Sequence, residues 1–222
     1  MPREIIPNFD SHSMSINAQK YSSLLSKYLP EDFVDYAVEL LLKYPVRFKI
    51  VKPRKTKLGD FKIGIGMEKP QITVNGNLNP YAFLITTIHE FAHLVTFERY
   101  GRRVAPHGKE WKQTYQELLM PVIGSKKLPE RLEIALRTSL GNTKASSCTD
   151  QQLYRVLLTF DSPKDNHITL ERLEKNSTFI LDGRVFKKGG LRRTRYLCKE
   201  LKTNKEYLVN ALALVEKITY EQ

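Results

Sequence analysis

Apolar positions recur in three successive regimes along the chain. From Ile16 through Tyr21, Leu24, Leu25 and Tyr28 they keep helical spacing until Pro30 ends the pattern. Phe33, Tyr36, Ala37, Leu40 and Leu41 repeat that spacing and predict a second helix closed by Pro45. Val46 to Val51 alternates apolar with basic residues, the signature of a half-buried strand. Gly59 to Ile65 and Gln71 to Val74 predict two more, followed by a turn at Asn75-Gly76-Asn77. Pro80 then opens a helix that should reach about Tyr100, with Gly101 as its stop. Another should start near His107, carry Trp111, Tyr115, Leu118 and Leu119, and be bounded by Pro121. A further one is expected from about Pro129 to Leu140. The last third reads as strands: Leu153–Phe160, Ile168–Leu173, Phe179–Leu181, Val185–Lys187, Thr194–Leu201 and Tyr207–Val209, with a hairpin turn at Asp182-Gly183. The predicted class is α+β. A main domain over 1–141 is joined by a small polar linker, 142–150, to a β-rich module over 151–222.

Composition narrows the setting. Hydrophobic residues make up 41% of 222, enough to bury a real core. No apolar run approaches the roughly 20 residues needed to span a bilayer, and the first residues lack a signal peptide's apolar stretch. A cytoplasmic protein without a membrane partner is therefore expected, with a monomer as the default. The two cysteines, Cys148 and Cys198, are expected to be reduced, buried thiols.

Charge adds a partner class. The net charge is +12, which favours a polyanion. It is concentrated in two blocks. Residues 43–59 carry seven basic side chains and no acid, while 184–205 carry nine against Glu200 alone. Arg54 and Lys55 in the first block, and Lys187, Lys188, Arg192, Arg193, Arg195 and Lys199 in the second, are the candidate nucleic-acid contacts. Strand alternation would put Arg193 and Arg195 on one face and turn Tyr196 toward the core. No recognition-helix or zinc-finger pattern occurs, so single-stranded or distorted DNA is favoured over a specific duplex site.

The chemistry is concentrated in His89-Glu90-Phe91-Ala92-His93, an H-E-x-x-H segment. On a helix, residues four apart share a face, so His89 and His93 can reach one zinc ion while Glu90 stands beside it as general base. Zinc lowers the pKa of its water to about 7, making hydroxide available at neutral pH. A catalytic zinc needs a third protein ligand and an open position. Of the remaining histidines, His12 lies in a polar N-terminal stretch and His167 in the β-rich tail. His107 has a return path through Gly101–Ala105, with Gly108 leaving room beside the metal, and is the expected third ligand. Thr96 and Arg99 stand where the longer metzincin pattern needs Gly and His, so Met120 is expected in the core. Tyr115 and Arg103 could each approach the metal.

His89-Glu90-Phe91-Ala92-His93 together with His107-Gly108-Lys109-Glu110-Trp111 resembles the SprT-like family of zinc metallopeptidases, which includes the Spartan proteases. Lys55 to Phe61 is similar to that family's basic strand-turn, and Gln71 to Asn75 to its strand before the helix. The resemblance covers about residues 15–120. It implies a zincin-like catalytic domain and, from the Spartan branch, cleavage of proteins bound or crosslinked to DNA. The alternative is a transcription- or repair-associated nucleic-acid-binding factor with a structural or inactive zinc site. Many relatives carry a four-cysteine zinc ribbon after the catalytic domain. With only Cys148 and Cys198 available, the β-rich module resembles a degenerate ribbon without a second zinc.

Overall fold

The computed structural model describes residues 11–54, 56–64, 66, 68–141, 150–162 and 166–218. They divide into two compact units, 1–161 and 162–222.

The first unit carries six helices and a three-stranded sheet. Helices α1 (Ser11–Leu25) and α2 (Val34–Lys43) precede β1 (Arg47–Val51), β2 (Gly59–Lys62) and β3 (Gln71–Asn75). The sheet order is β1-β3-β2, with β1 parallel and β2 antiparallel to the central strand, so β2 is an edge. Then come α3 (Pro80–Tyr100), α4 (Lys109–Gly124), α5 (Glu130–Gly141) and α6 (Gln151–Leu158).

Helix α3 is the pillar of this unit. Nearly every residue from Ala82 to Thr96 is buried, as expected for a helix that is apolar around its circumference. Its ends follow local chemistry. The Asn79 side chain accepts from the Ala82 N–H at 2.9 Å, Pro80 occupies the first turn, and Gly101 at φ 68° ends it. Phe83, Leu84, Ile88, Phe91 and Leu94 pack with Leu25, Ile72, Leu119 and Leu132 in one core.

Four expectations change here. The stretch Leu153–Phe160 is not a strand: residues 153–158 belong to α6, and Thr159 and Phe160 follow it in a turn. Its leucines are four apart: Leu153 and Leu157 insert into the first core, and the Asp150 side chain caps the helix by accepting from Gln152 and Leu153 N–H. Asn79 Nδ2 also donates to the Leu157 carbonyl at 2.9 Å and to Asp161. Residues 151–161 thus fall in the first unit, and the division comes at Asp161 rather than in the linker; 142–149 lie outside the described residues. Pro121 does not bound α4, which continues to Gly124: the proline forgoes only the bond back to the Glu117 carbonyl, and its own carbonyl still accepts from the Ser125 N–H at 3.1 Å in the last turn. Met120 is 46% exposed rather than in the core.

The second unit is one antiparallel sheet in the order β4-β9-β5-β6-β7-β8. Its strands are β4 (His167–Thr169), β5 (Thr178–Leu181), β6 (Arg184–Arg192), β7 (Arg195–Glu200), β8 (Glu206–Asn210) and β9 (Leu214–Lys217). The expected strand Ile168–Leu173 is β4 followed by a single 3-10 turn at Leu170–Arg172, and β9 was not anticipated. Leu170, Phe179, Phe186, Cys198 and Val215 make its small core. No described helix is long and apolar enough to cross a membrane.

Candidate metal centre

His89 and His93 lie one turn apart on α3, and His107 precedes α4. The chain reaches back through a 3-10 turn at Gly101–Arg103, and His107 adopts a left-handed backbone, φ 60°. That conformation is uncommon for a side chain other than glycine. The following turn is closed by Gly108 N–H donating to the Ala105 carbonyl at 2.9 Å. A Cβ at Gly108 would itself lie 2.9 Å from that carbonyl oxygen, so the glycine makes room for the turn and not for the metal as expected.

The result is a convergence. The Nε2 atoms of the three rings are 3.2 Å apart for His93 and His89, 3.1 Å for His93 and His107, and 3.1 Å for His107 and His89. Three imidazoles cannot each place a proton between every such pair. Their lone pairs instead form one face of a tetrahedron, since zinc–nitrogen bonds of about 2.0 Å require separations near 3.3 Å. Among the described residues this is the one group of three or more His, Cys, Asp or Glu side chains that could hold a metal ion. The donor set fits a divalent cation, and neutral nitrogen ligands with an open position suit zinc.

The electrostatics agree. Burial, then the neighbouring His93 and His107, push the His89 pKa far down. Burial and His107 bring His93 to about 4, and burial and Lys112 lower His107. All three rings are neutral at pH 7, the form that binds metal. Glu90, 5% exposed, is pushed up to about 8 by burial and then by Asp60; Arg54, Lys57 and a hydrogen bond from the Phe61 N–H oppose the shift.

These shifts predict how the metal-free site titrates. Folded His89 and His93 resist protons that their unfolded forms take up near pH 6.5, so stability should fall as pH drops from there toward 4. Glu90 acts oppositely. Its folded form keeps a proton up to about 8 and its unfolded form releases it near 4.5, so its contribution fades as pH rises between those values. Between 4.5 and 6.5 the histidines outnumber the glutamate. The site of the chelator-treated protein should therefore be most stabilising near pH 6.5, measurable as urea midpoints at pH 5, 6.5 and 8. Glu90→Gln should flatten the alkaline limb and steepen the acid limb, because the glutamate's opposing proton uptake between 4.5 and 6.5 is lost as well.

Trp111, on α4, is expected from sequence only as one of the positions that helix carries, at the end of the His107–Trp111 segment. Its ring lies 4.6, 5.2 and 4.7 Å from those of His89, His93 and His107, and stacks on Tyr115 at 4.9 Å. It is the wall behind the cluster. Spacing alone could not assign it, because the wall forms only when α4 packs on α3. Tyr115 also meets the His89 ring edge-on at 5.9 Å, while Arg103 is exposed in its turn. Of Tyr115 and Arg103, the two residues expected within reach of a metal, Tyr115 is thus the one placed beside an imidazole of the cluster.

The basic candidates separate. Lys187 and Lys199 are exposed cross-strand partners, and Arg192 and Arg195 pair at the end of the same hairpin. Arg193 is exposed in the turn at φ 56°, so it does not share a strand face with Arg195 as expected. Among the described residues, none of these five enters an ion pair. Lys188 is a correction. It is 3% exposed, its Nζ donates to the Glu171 and Leu173 carbonyls, and it lies 4.0 Å from the centre of the Tyr196 ring. It is an internal strut and offers nothing to a phosphate. Tyr196 packs partly buried on the second core, and Cys198 is fully buried. Arg54 is half-buried and donates to Asn75 and Thr73 at 2.9 and 3.0 Å, tying the chain to β3; Lys55 and Cys148 lie outside the described residues.

Comparison with known proteins agrees with this geometry. Residues 71–134 match the SprT-like family, a span that runs from β3 through the segments bearing all three clustered histidines. Within this span the chain is similar to the SprT-like family. It is 63% identical over 35 residues to Protein SprT of Vibrio parahaemolyticus, covering 15% of this chain and 21% of that one. Against Protein SprT of Klebsiella pneumoniae it is 42% identical over 57 residues, 24% of this chain and 34% of the relative. Against that of an Enterobacter species it is 34% identical over 95 residues, 41% and 54%. The chain thus spans about half or less of the length of these three relatives. No solved structure matches it.

Proposed function

We propose that this chain is a zinc-dependent peptidase that acts on proteins associated with nucleic acid, with His89, His93 and His107 holding the metal and Glu90 as general base. The observation that carries the reading is the meeting of three neutral imidazole nitrogens within 3.2 Å on one side of a buried helix that also bears Glu90. When bound, zinc would acidify a coordinated water and polarise a peptide carbonyl. Glu90 takes the proton from the attacking water on a carboxylate oxygen and returns it to the amine nitrogen as the peptide bond breaks. A cation in the cluster favours the carboxylate form of Glu90 and so opposes the upward push of burial. Trp111 and Tyr115 close one side of the cluster and fix the ring orientations.

A nucleic-acid-binding factor with a structural zinc is less well supported. Structural zinc sites are closed by four protein ligands, and the cluster has three among the described residues. The second unit supports the proposed nucleic-acid partner. Like charges placed directly across a hairpin, as Lys187 and Lys199 or Arg192 and Arg195 are, destabilise it unless an anion lies against them.

The test is to incubate zinc-loaded protein with a basic DNA-binding protein, with and without single-stranded DNA. Fragmentation should depend on Glu90 and rise with DNA. If the five exposed cations engage phosphates, affinity for single-stranded DNA should fall on the order of 100-fold between 50 and 200 mM salt. Cleavage with no DNA effect would remove the partner from the reading. Absence of cleavage under every condition would remove the activity.

A further inference from the structure

Helix α3 supplies Glu90, but strand β2 decides where its carboxyl group can stand. A Cβ built on Gly59 would fall 2.4 Å from Glu90 Oε1, 2.7 Å from Glu90 Cγ and 2.7 Å from Thr86 Cγ2. Real Cβ contacts essentially never come so close. Gly59 does not occupy the left-handed region, so space and not backbone freedom requires it. The peptide geometry of β2 adds a second contact. The Leu58 carbonyl accepts from Asn75 N–H at 2.9 Å, and antiparallel alternation then turns the peptide groups of Gly59 and Phe61 away from β3, to the open edge. There the Phe61 N–H donates to the Glu90 carboxyl. The Phe61 ring meanwhile lies parallel to that of His93, with centroids 6.4 Å apart, and against Phe97 at 6.1 Å.

We propose that Gly59 is a positioning residue: by having no side chain it lets the Glu90 carboxyl lie against the edge of β2, within reach of the Phe61 peptide. The catalytic consequence rests on the reading of Glu90 as the base; the spatial one does not. Any side chain at 59 swings the carboxyl off the strand and leaves the imidazoles where they are. A displacement of about 1 Å in a reacting group can cost about 100-fold in rate.

The experiment is a double-mutant cycle of Gly59→Ala with Glu90→Ala, read both by urea midpoint and by turnover. Gly59→Ala should lower the midpoint in the wild-type background by clearly more than in Glu90→Ala, because truncation of Glu90 removes two of the three close contacts. The contact with Thr86 is common to both backgrounds and cancels. Zinc content should stay at one per chain. The kcat should fall about 100-fold with KM nearly unchanged, and adding Gly59→Ala to Glu90→Ala should cost no further activity. If Gly59→Ala does not fold, the double variant should. Equal midpoint losses in both backgrounds, loss of zinc, or a double variant that also fails to fold would overturn the proposal. A wild type with no peptidase activity would instead sink the functional reading, and the midpoints would still decide whether Gly59 makes the space for Glu90.

Discussion

Replacing Glu90 with glutamine is expected to stop peptide hydrolysis and leave the metal in place. The substitution keeps the length and shape of the side chain, which matters at a position that is 5% exposed and packed beside β2. The amide oxygen can still accept from the Phe61 N–H, so the fold loses little. An amide cannot take up the proton of the attacking water, however, and losing a positioned general base costs about 10²–10⁴-fold. Turnover measured beside zinc content separates the two roles. A fall of that size with one zinc per chain is the expected result, and unimpaired turnover would exclude Glu90 as the base.

The second large effect concerns the metal itself. Zinc that binds only the folded chain stabilises it by about 4 kcal/mol when its free concentration is a thousandfold above Kd. For a unit of this size that raises Tm by on the order of 10 °C. His107→Ala should abolish most of that rise, because it removes one of three ligands and leaves the helical pair alone. The variant's metal-free Tm should change little, since the lost side chain is a half-buried imidazole and the left-handed backbone position suits alanine no better than histidine. Thermal unfolding of both proteins with chelator and with zinc gives four midpoints. A His107→Ala protein that still gains as much from zinc as the wild type would remove His107 from the site.

How far this was legible beforehand depended on whether the signal was local. Helix α3 could be bounded because Asn79, Pro80 and Gly101 act within a turn of themselves, and the four-residue spacing of His89 and His93 is itself a local fact. His107 could be chosen because few histidines competed and a short loop led back to the pair. Trp111, Gly59 and Phe61 escaped because each acts across elements distant in sequence: α4 on α3, and β2 on α3. Residues 153–160 misled for another reason. Leu153-Tyr154-Arg155-Val156-Leu157-Leu158 is rich in residues that suit either state, and only the leucines meeting the first core decide for helix. Lys188 misled because a lysine in a basic run reads as solvated, whereas strand alternation turned this one inward onto carbonyls and Tyr196.

The hold of Asn79 on Leu157 and Asp161 separates the matched region from the unit that can fold. Asn79 caps the helix bearing His89 and His93, yet its amide is fastened by residues that lie well beyond position 134, where the family match stops. The leucines of α6 likewise complete a core they do not share a motif with. A chain trimmed to its recognisable stretch would keep every presumed ligand and lose the clamp at the start of their helix, so truncation after Gly141 should loosen the imidazoles without touching one of them.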